Sequence, residues 1–191
     1  PDRPMGRKAI ITKVPTKVVA EKYNIPVYQP EKIKNDYDFL KEINPDLILT
    51  FSYGQIVPKG VLDIPNKGCL NLHGSLLPKY RGASPVQTVL MNQEKITGVT
   101  LMEMTEKMDA GRMYAKEEIY ISPDDNSTSL FNKIAETSFL VAEKYLPLYF
   151  EDKLVGEYQA ESQATYCKII KPEQEKIDLS MSKEEIIGLI N

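Results

Sequence analysis

The sequence predicts an α/β fold built on an open, mostly parallel, doubly wound (Rossmann-like) sheet. Two observations predict this class. Short apolar runs with strand character alternate along the chain with segments whose apolar residues recur at helical spacing. The 191 residues, 42% hydrophobic and 27% charged, also fit one globular domain with a sizeable core. We therefore expect the functional site beyond the carboxyl ends of the strands, where such sheets bind their ligands.

The predicted strands are short apolar segments bounded by turn residues. They comprise residues 25–28, 47–51, 68–73, 98–104 and 113–121. Cys69 lies inside the third of these strands, and the only other cysteine, Cys167, is far away with no metal-like spacing. We therefore interpret both cysteines as reduced thiols and predict no zinc site.

The predicted helices are marked by apolar periodicity and by capping residues. They comprise residues 35–43, residues 84–92, a long helix after the turn at 123–125, and a last helix after residue 182. Ser84 with Pro85 is typical of an N-cap and a first turn, and Ser182 with Glu185 has the spacing of a capping box. Pro147 should kink or end the long helix, because proline removes a backbone donor.

The chain divides into a domain and an exit segment. Residues 1–156 carry the alternating strands and helices, whereas the following residues become polar and irregular. We assign 1–156 to a catalytic domain, and 157–191 to an exit segment with the start of a linker helix. Since the chain begins at Pro1 without a methionine and stops inside a predicted helix, we expect a piece of a longer protein, truncated at both ends.

Charge and hydropathy exclude two classes of protein. The net charge of -3 argues against binding of nucleic acid through overall basicity. No apolar run approaches the roughly 18 residues that a membrane-spanning helix needs, so we expect no membrane partner. We expect a cytoplasmic protein, with an organelle still open because a targeting peptide would precede Pro1.

Asn71 and His73 are the first candidate catalytic residues. They lie two residues apart where an apolar strand ends, so both side chains point to one face of the sheet. A histidine can carry a proton near neutral pH, and an asparagine amide can donate to an oxygen that gains charge. The pair therefore suits acyl or formyl transfer. A satisfied strand-end histidine beside a turn asparagine is the structural alternative.

Two further features follow this strand. Leu76 and Leu77 lie in an otherwise polar loop and either line an apolar pocket for a flat ligand or plug the core. Asp109 follows the predicted 98–104 strand, and its carboxylate can pair with His73 and orient a proton acceptor. The alternative is that Asp109 only forms a turn with Gly111, which is the commoner role of an Asp-x-Gly pattern. Sequence spacing alone does not show that Asp109 and His73 meet.

These motifs together resemble the folate-dependent formyltransferases. The resemblance lies in Asn71-x-His73-Gly-Ser-Leu-Leu-Pro-x-Tyr-Arg-Gly, followed 36 residues after the histidine by Asp109-x-Gly111. Within this group the chain most resembles the methionyl-tRNA formyltransferases, through a Pro-Asp-Arg-Pro-x-Gly-Arg loop at 1–7 and through residues 165–178. The resemblance covers the whole chain. It implies that a first strand and helix, and a C-terminal β-barrel domain, lie outside it.

The resemblance also implies an activity and a set of site residues. The activity is transfer of formyl from 10-formyltetrahydrofolate to the amino group of methionyl initiator tRNA, for translation initiation. Asn71, His73 and Asp109 would be catalytic: Asn71 and protonated His73 stabilise the oxyanion, and Asp109 supports His73 and the proton relay. The implied binding residues are Ser75, Leu76, Leu77 and Pro78 beside the tetrahydrofolate, Gln55, Ile56 and Val57 around the pterin, and Arg7 at the tRNA acceptor end. We expect a monomer with no metal.

One departure and three alternatives stay open. Arg112 stands where the family pattern leads us to expect an acidic residue. The alternatives are a formyltransferase acting on glycinamide ribonucleotide or an amino sugar nucleotide, a 10-formyltetrahydrofolate hydrolase, and a module that binds folate or tRNA without turnover. The loop around Arg7 and residues 165–178 argue against the first alternative. Formate release without an acceptor would identify the second.

Overall fold

The computed structural model describes residues 1–5, 9–178 and 180–190. The described strands are β1 (Arg3–Met5), β2 (Ile10–Thr12), β3 (Ile48–Phe51), β4 (Cys69–His73), β5 (Arg81–Gly82), β6 (Ile96–Glu103), β7 (Met113–Tyr120) and β8 (Tyr166–Cys167). The described α-helices are α1 (Pro15–Lys22), α2 (Asp38–Ile43), α3 (Lys59–Leu62), α4 (Pro85–Met91), α5 (Ser127–Phe150) and α6 (Lys183–Ile190). Two short 3-10 helices, Glu161–Gln163 and Pro172–Glu175, lie between α5 and α6.

The central sheet has the strand order β3-β4-β6-β7 among the described residues. The predicted parallel pairing is present between β3 and β4, where Thr50 lies opposite Asn71. The other two pairings are antiparallel, so this part of the sheet is mixed. For β6 and β7 the reason is their short connection, since parallel neighbours need a crossover of a dozen residues or more.

The core lies on one face of this sheet, beneath α4 and α5. Leu70 and Leu72 of β4 point into it, together with Val86 and Val89 of α4. Helix α5 packs against β6 and β7 and contributes Leu130 and further apolar side chains. Since side chains alternate along a strand, Asn71 and His73 lie on the opposite face.

Most predicted elements are confirmed, and two differ. Residues 25–28 form no strand, because a strand needs a hydrogen-bonded neighbour and none of the described strands pairs with them. Pro147 lies inside α5, which continues to Phe150 before it ends. The capping box of Ser182 and Glu185 is confirmed, with both reciprocal hydrogen bonds present. The antiparallel pairing of β1 with β2, and helix α1, were not predicted.

The exit segment returns to the domain. Strand β8 pairs in parallel with β5, so that Arg81 lies opposite Tyr166 and Gly82 opposite Cys167. Helix α6 packs on α4. The boundary at residue 156 stays a prediction, and residues 159–167 approach the loop that follows β4.

The two cysteines, Cys69 and Cys167, are buried free thiols. In the described ranges, no cluster of three or more His, Cys, Asp and Glu side chains is arranged to hold a metal ion. Of the helices described, none combines the length and apolar character needed to cross a membrane.

Candidate active site

His73 ends β4, and its ring is fixed by a backbone carbonyl. The side chain is 6% exposed, and its Nε2 lies 2.8 Å from the carbonyl oxygen of Tyr80. A carbonyl only accepts hydrogen bonds, so Nε2 must carry the proton that it donates. In the neutral ring Nδ1 is therefore unprotonated. The local backbone thus sets Nδ1 as the nitrogen that can accept a proton.

Asp109 meets His73 on that Nδ1 side. Its Oδ1 lies 3.8 Å from Nδ1 of His73, and its Oδ2 accepts a hydrogen bond of 2.8 Å from the backbone N–H of Gly82. Asp109 has a φ of 50°, a left-handed conformation that aspartate tolerates better than most residues. The structure thus brings together two candidates whose meeting the sequence left open.

Asn71 occupies the same face as His73, one pleat repeat earlier on β4. Its Oδ1 accepts a hydrogen bond of 2.8 Å from the hydroxyl of Thr50 on the parallel neighbour β3. Because the hydroxyl takes the amide oxygen, the amide nitrogen Nδ2 points away from β3. Among the described residues, this Nδ2 has no hydrogen-bond acceptor, so it is a free donor at the carboxyl edge of the sheet.

The loop after β4 is anchored by Thr100 of β6. Thr100 Oγ1 donates to the carbonyl of Ser75 (2.7 Å) and accepts from the N–H of Leu77 (3.1 Å). The side chains of Ser75 and Leu77 are buried, and the Ser75 hydroxyl donates to the carbonyl of Lys79. Leu76 and Pro78 of the same loop are half-buried. Leu77 packs with Met102 and Met113 in a small apolar cluster separate from the core beneath α4 and α5, and contact of either leucine with a ligand stays a prediction.

The predicted pterin-lining segment follows β3 at the same edge of the sheet. Gln55 accepts a hydrogen bond of 2.9 Å from the N–H of Ile33 and donates one of 3.2 Å to the carbonyl of Glu31. Ile56 is 78% exposed, and Val57 is half-buried. The Gln55 side chain therefore braces the 31–33 segment, and binding of a ligand by these residues stays a prediction.

Two arginines singled out in the sequence, Arg7 and Arg112, have different outcomes in the structure. Arg7, the predicted tRNA contact, lies outside the described residues. Arg112 pairs with Glu103 across the turn between β6 and β7, at 3.0 and 3.2 Å. This guanidinium holds the pKa of Glu103 below its usual value. The basic residue at 112 thus has a local structural partner, which accounts for the departure from the expected acidic residue.

Sequence reasoning missed the residues that orient the candidates. The Tyr80 carbonyl carries no sequence signal, because its role comes from the backbone path of the loop, where Tyr80 has a φ of 60°. The contact of Thr50 with Asn71 could have been predicted, since Thr50 lies in the predicted 47–51 strand and a parallel sheet can place that strand beside Asn71. Gln159, which contacts the turn of Asp109, lies in the segment assigned to the exit.

Two cavities in the described part of the chain lie away from these residues. They measure about 450 and 530 Å³ and share Arg112 and Tyr149 in their walls. Neither includes Asn71, His73 or Asp109. The candidate active site is therefore identified from the chemistry of its side chains.

Solved structures share this fold. An N-formyltransferase from Helicobacter canadensis, solved with folinic acid and dTDP-3-aminofucose, superposes with a TM-score of 0.72 at 20% identity, over 90% of this chain and 61% of that one. A methionyl-tRNA formyltransferase from Clostridium thermocellum superposes with a TM-score of 0.68 at 21% identity, over 91% of this chain and 74% of that one. These similarities confirm the predicted α/β class of formyltransferase type.

Sequence comparison identifies the family. The methionyl-tRNA formyltransferase of Bacillus cereus (strain B4264) is 44% identical over the whole chain. The chain spans 61% of the length of that relative. A sequence model described as formyl transferase matches residues 1–142, which include Asn71, His73 and Asp109. The chain therefore belongs to the formyl transferase family.

Proposed function

We propose that this chain carries the formyl-transfer site of a methionyl-tRNA formyltransferase, with 10-formyltetrahydrofolate as donor and the amino group of methionyl initiator tRNA as acceptor. One observation carries the proposal: the unprotonated Nδ1 of His73, the carboxylate of Asp109 and the free amide donor of Asn71 share one sheet edge. A base beside an oxyanion donor is the arrangement that acyl transfer from an amide-like donor needs.

His73 would act as the proton carrier. As the neutral amine of methionine attacks the formyl carbon, Nδ1 of His73 accepts a proton from that amine. The resulting imidazolium lies beside Asp109, whose Oδ1 at 3.8 Å stabilises the positive charge. When the bond between the formyl carbon and its nitrogen on the folate breaks, His73 returns the proton to that leaving nitrogen. The His73 ring thus acts first as a base and then as an acid, and it is neutral again at the end of the reaction.

Asn71 would stabilise the charge that develops on the formyl oxygen. Its Nδ2 is held outward by the hydrogen bond from Thr50 to Oδ1, so the donor is oriented before the reaction. A preorganised donor of this kind contributes roughly 3–4 kcal/mol to a transition state, which is about 10²- to 10³-fold in rate. The folate donor fits beside the half-buried Leu76 and Pro78, and Gln55–Val57 lie at the same edge of the sheet.

The acceptor is proposed from sequence similarity. The 44% identity to the Bacillus cereus methionyl-tRNA formyltransferase over the whole chain favours methionyl-tRNA as the acceptor. Arg7 remains the proposed contact to the acceptor end of the tRNA, since arginine can contact phosphate and stack on bases. The proposal places the protein in the cytoplasm and treats it as a monomer.

The decisive experiment measures transfer of labelled formyl to methionyl initiator tRNA by the full-length protein. Glycinamide ribonucleotide and an amino sugar nucleotide are present as competing acceptors, and free formate is quantified. We expect labelled formylmethionyl-tRNA from the unmodified protein. His73→Ala should abolish it, because the variant lacks the ring nitrogen that is proposed to carry the proton between the two amines.

A matched pair tests the oxyanion donor. Asn71→Ala should lower kcat by about 10²- to 10³-fold. Asn66→Ala changes an exposed asparagine on the turn before β4 and should leave kcat within twofold. Formylation of another acceptor, or formate release alone, would refute the proposed acceptor. Activity that survives in His73→Ala would refute the proposed mechanism.

A further inference from the structure

Gln159 connects the exit segment to the turn that carries Asp109. Its Nε2 lies 2.8 Å from the carbonyl oxygen of Asp109 and 2.8 Å from that of Gly111. A side-chain amide nitrogen has two hydrogens, so one donor group can satisfy both carbonyls. Since these carbonyls enclose the left-handed turn at Asp109, the amide of Gln159 ties that turn to the exit segment.

Arg81 fixes the orientation of Gln159. The Arg81 guanidinium is buried, with the residue 1% exposed, and its Nε donates to Oε1 of Gln159 at 2.9 Å. A guanidinium has only donors, so the amide oxygen must face Arg81 and the amide nitrogen must face the two carbonyls. Arg81 is held in turn by Glu161 at 3.0 Å and by the hydroxyl of Tyr166 at 3.1 Å.

Glu161 forms ion pairs with two cations, Lys107 at 2.8 Å and Arg81 at 3.0 Å. Lys107 and Arg81 together lower the pKa of Glu161 to about 2. The Glu161 carboxylate therefore keeps its charge well below neutral pH, and with it the ion pair to Arg81.

The same segment also holds the opposite side of the site. The carbonyl oxygen of Thr165 accepts a hydrogen bond of 2.9 Å from the backbone N–H of Arg81. The hydroxyl of Thr165 accepts one of 2.8 Å from the backbone N–H of Tyr80. These contacts fix the loop whose Tyr80 carbonyl binds His73 and whose Gly82 N–H binds Asp109. Residues 159–167 therefore contact both backbone segments that set the relation between Asp109 and His73.

We propose that Gln159 is a positioning residue for formyl transfer, which holds the Asp109 turn at its working distance from His73 and makes the exit segment part of the active site. The inference rests on the proposed function. Gln159 touches neither substrate in this role; it acts through Asp109. Displacement of a catalytic group by about 1 Å lowers a rate by about 10²-fold, so loss of this tie should be visible in kcat.

Three variants of the full-length protein test the proposal. Gln159→Met keeps the length of the side chain but removes its hydrogen bonds, and Gln159→Glu keeps an oxygen for Arg81 but removes both donors. We expect kcat to fall about 10- to 100-fold in each, with KM for tRNA and for folate within twofold. Gln163→Met makes the same change at an exposed position of the same segment and should match the unmodified protein.

A double-mutant cycle separates positioning from a general loss of stability. In an Asp109→Asn background, Gln159→Met should lower kcat less than twofold further, because the group that it positions is already altered. A full additional loss in that background would overturn the proposal, as would unchanged kcat in Gln159→Met when the unmodified enzyme is active. An unmodified protein that does not formylate methionyl-tRNA would instead overturn the proposed function, and this inference with it.

Discussion

Gly111 offers the sharpest test of the close contact between the Asp109 turn and β6. A Cβ atom added to Gly111 would lie 2.0 Å from the backbone oxygen of Glu103 and 2.8 Å from its carbonyl carbon. The obstacle is backbone within a paired strand, which cannot rotate away as a side chain would. Gly111→Ala should therefore push the turn that carries Asp109 away from the sheet.

The size of the effect follows from that distance. Real Cβ contacts are essentially never shorter than 3.0 Å, so the turn must move by about 1 Å. Overpacking of this kind costs about 1–3 kcal/mol, and the upper end applies because the neighbour is rigid. At about 2–4 °C per kcal/mol, 3 kcal/mol lowers the melting temperature by about 6–12 °C. A shift of about 1 Å in a catalytic group should also lower kcat by about 10²-fold.

Calorimetry and steady-state formylation of the full-length protein measure the two effects. Gly54→Ala is the matched control for stability, because a Cβ at Gly54 meets no atom within 4 Å. We expect its melting temperature to stay within about 1 °C of the unmodified protein. If Gly111→Ala melts and turns over like the unmodified protein, the contact between Gly111 and Glu103 is not as described and the reasoning fails.

Two further predictions concern the orientation of Asn71 and the buried thiol of Cys69. Thr50→Val removes the hydroxyl that orients Asn71 and should lower kcat about 2- to 10-fold, as expected for one neutral hydrogen bond. Thr50→Ser keeps the hydroxyl and should retain activity. Equal kcat in Thr50→Val and the unmodified protein would contradict the orienting role. Burial raises the pKa of Cys69 from 9.0 to about 11, so the thiolate fraction at pH 8 is roughly 100-fold below that of an ordinary thiol. Iodoacetamide labelling mapped by mass spectrometry should find Cys69 unreactive at pH 8 and reactive after unfolding, and rapid labelling of the folded protein at that pH would refute the burial.

The pairing of Asn71 with His73 could be predicted because it depends on local geometry alone. Residues two apart on a strand share a face, whatever the strand's neighbours are. The same is true of the capping box at Ser182, which arises from contacts within a few residues. The helix predicted after Ser84 is also present, but the Ser84 side chain makes no capping hydrogen bond. Residues 25–28 show the limit of this reasoning, because a strand also needs a partner that the segment itself does not specify.

The neighbours of the site residues could not be predicted in this way. The buried side chains of Ser75 and Leu77 follow from the bonds of that loop to Thr100, on a strand that pairs antiparallel with β4. The role of Arg112 follows from its position opposite Glu103 across a turn. The partner of the loop after β4 is set by strand order, and the partner of Arg112 by the register of the β6–β7 pair; neither is encoded in the residues of one segment alone.

The sequence by itself thus determined the α/β class, the family resemblance and the three candidate side chains. Only the tertiary structure decided that Asp109 lies beside Nδ1 of His73, that the Tyr80 carbonyl selects the tautomer, and that Gln159 braces the turn. The physical reason is range. Periodicity and capping act over a few residues, whereas Asp109 and Gln159 belong to segments that lie far from His73 in the chain and meet it only in the folded sheet. The Tyr80 carbonyl is only seven residues from His73, but the path of the loop after β4 decides that it faces the ring.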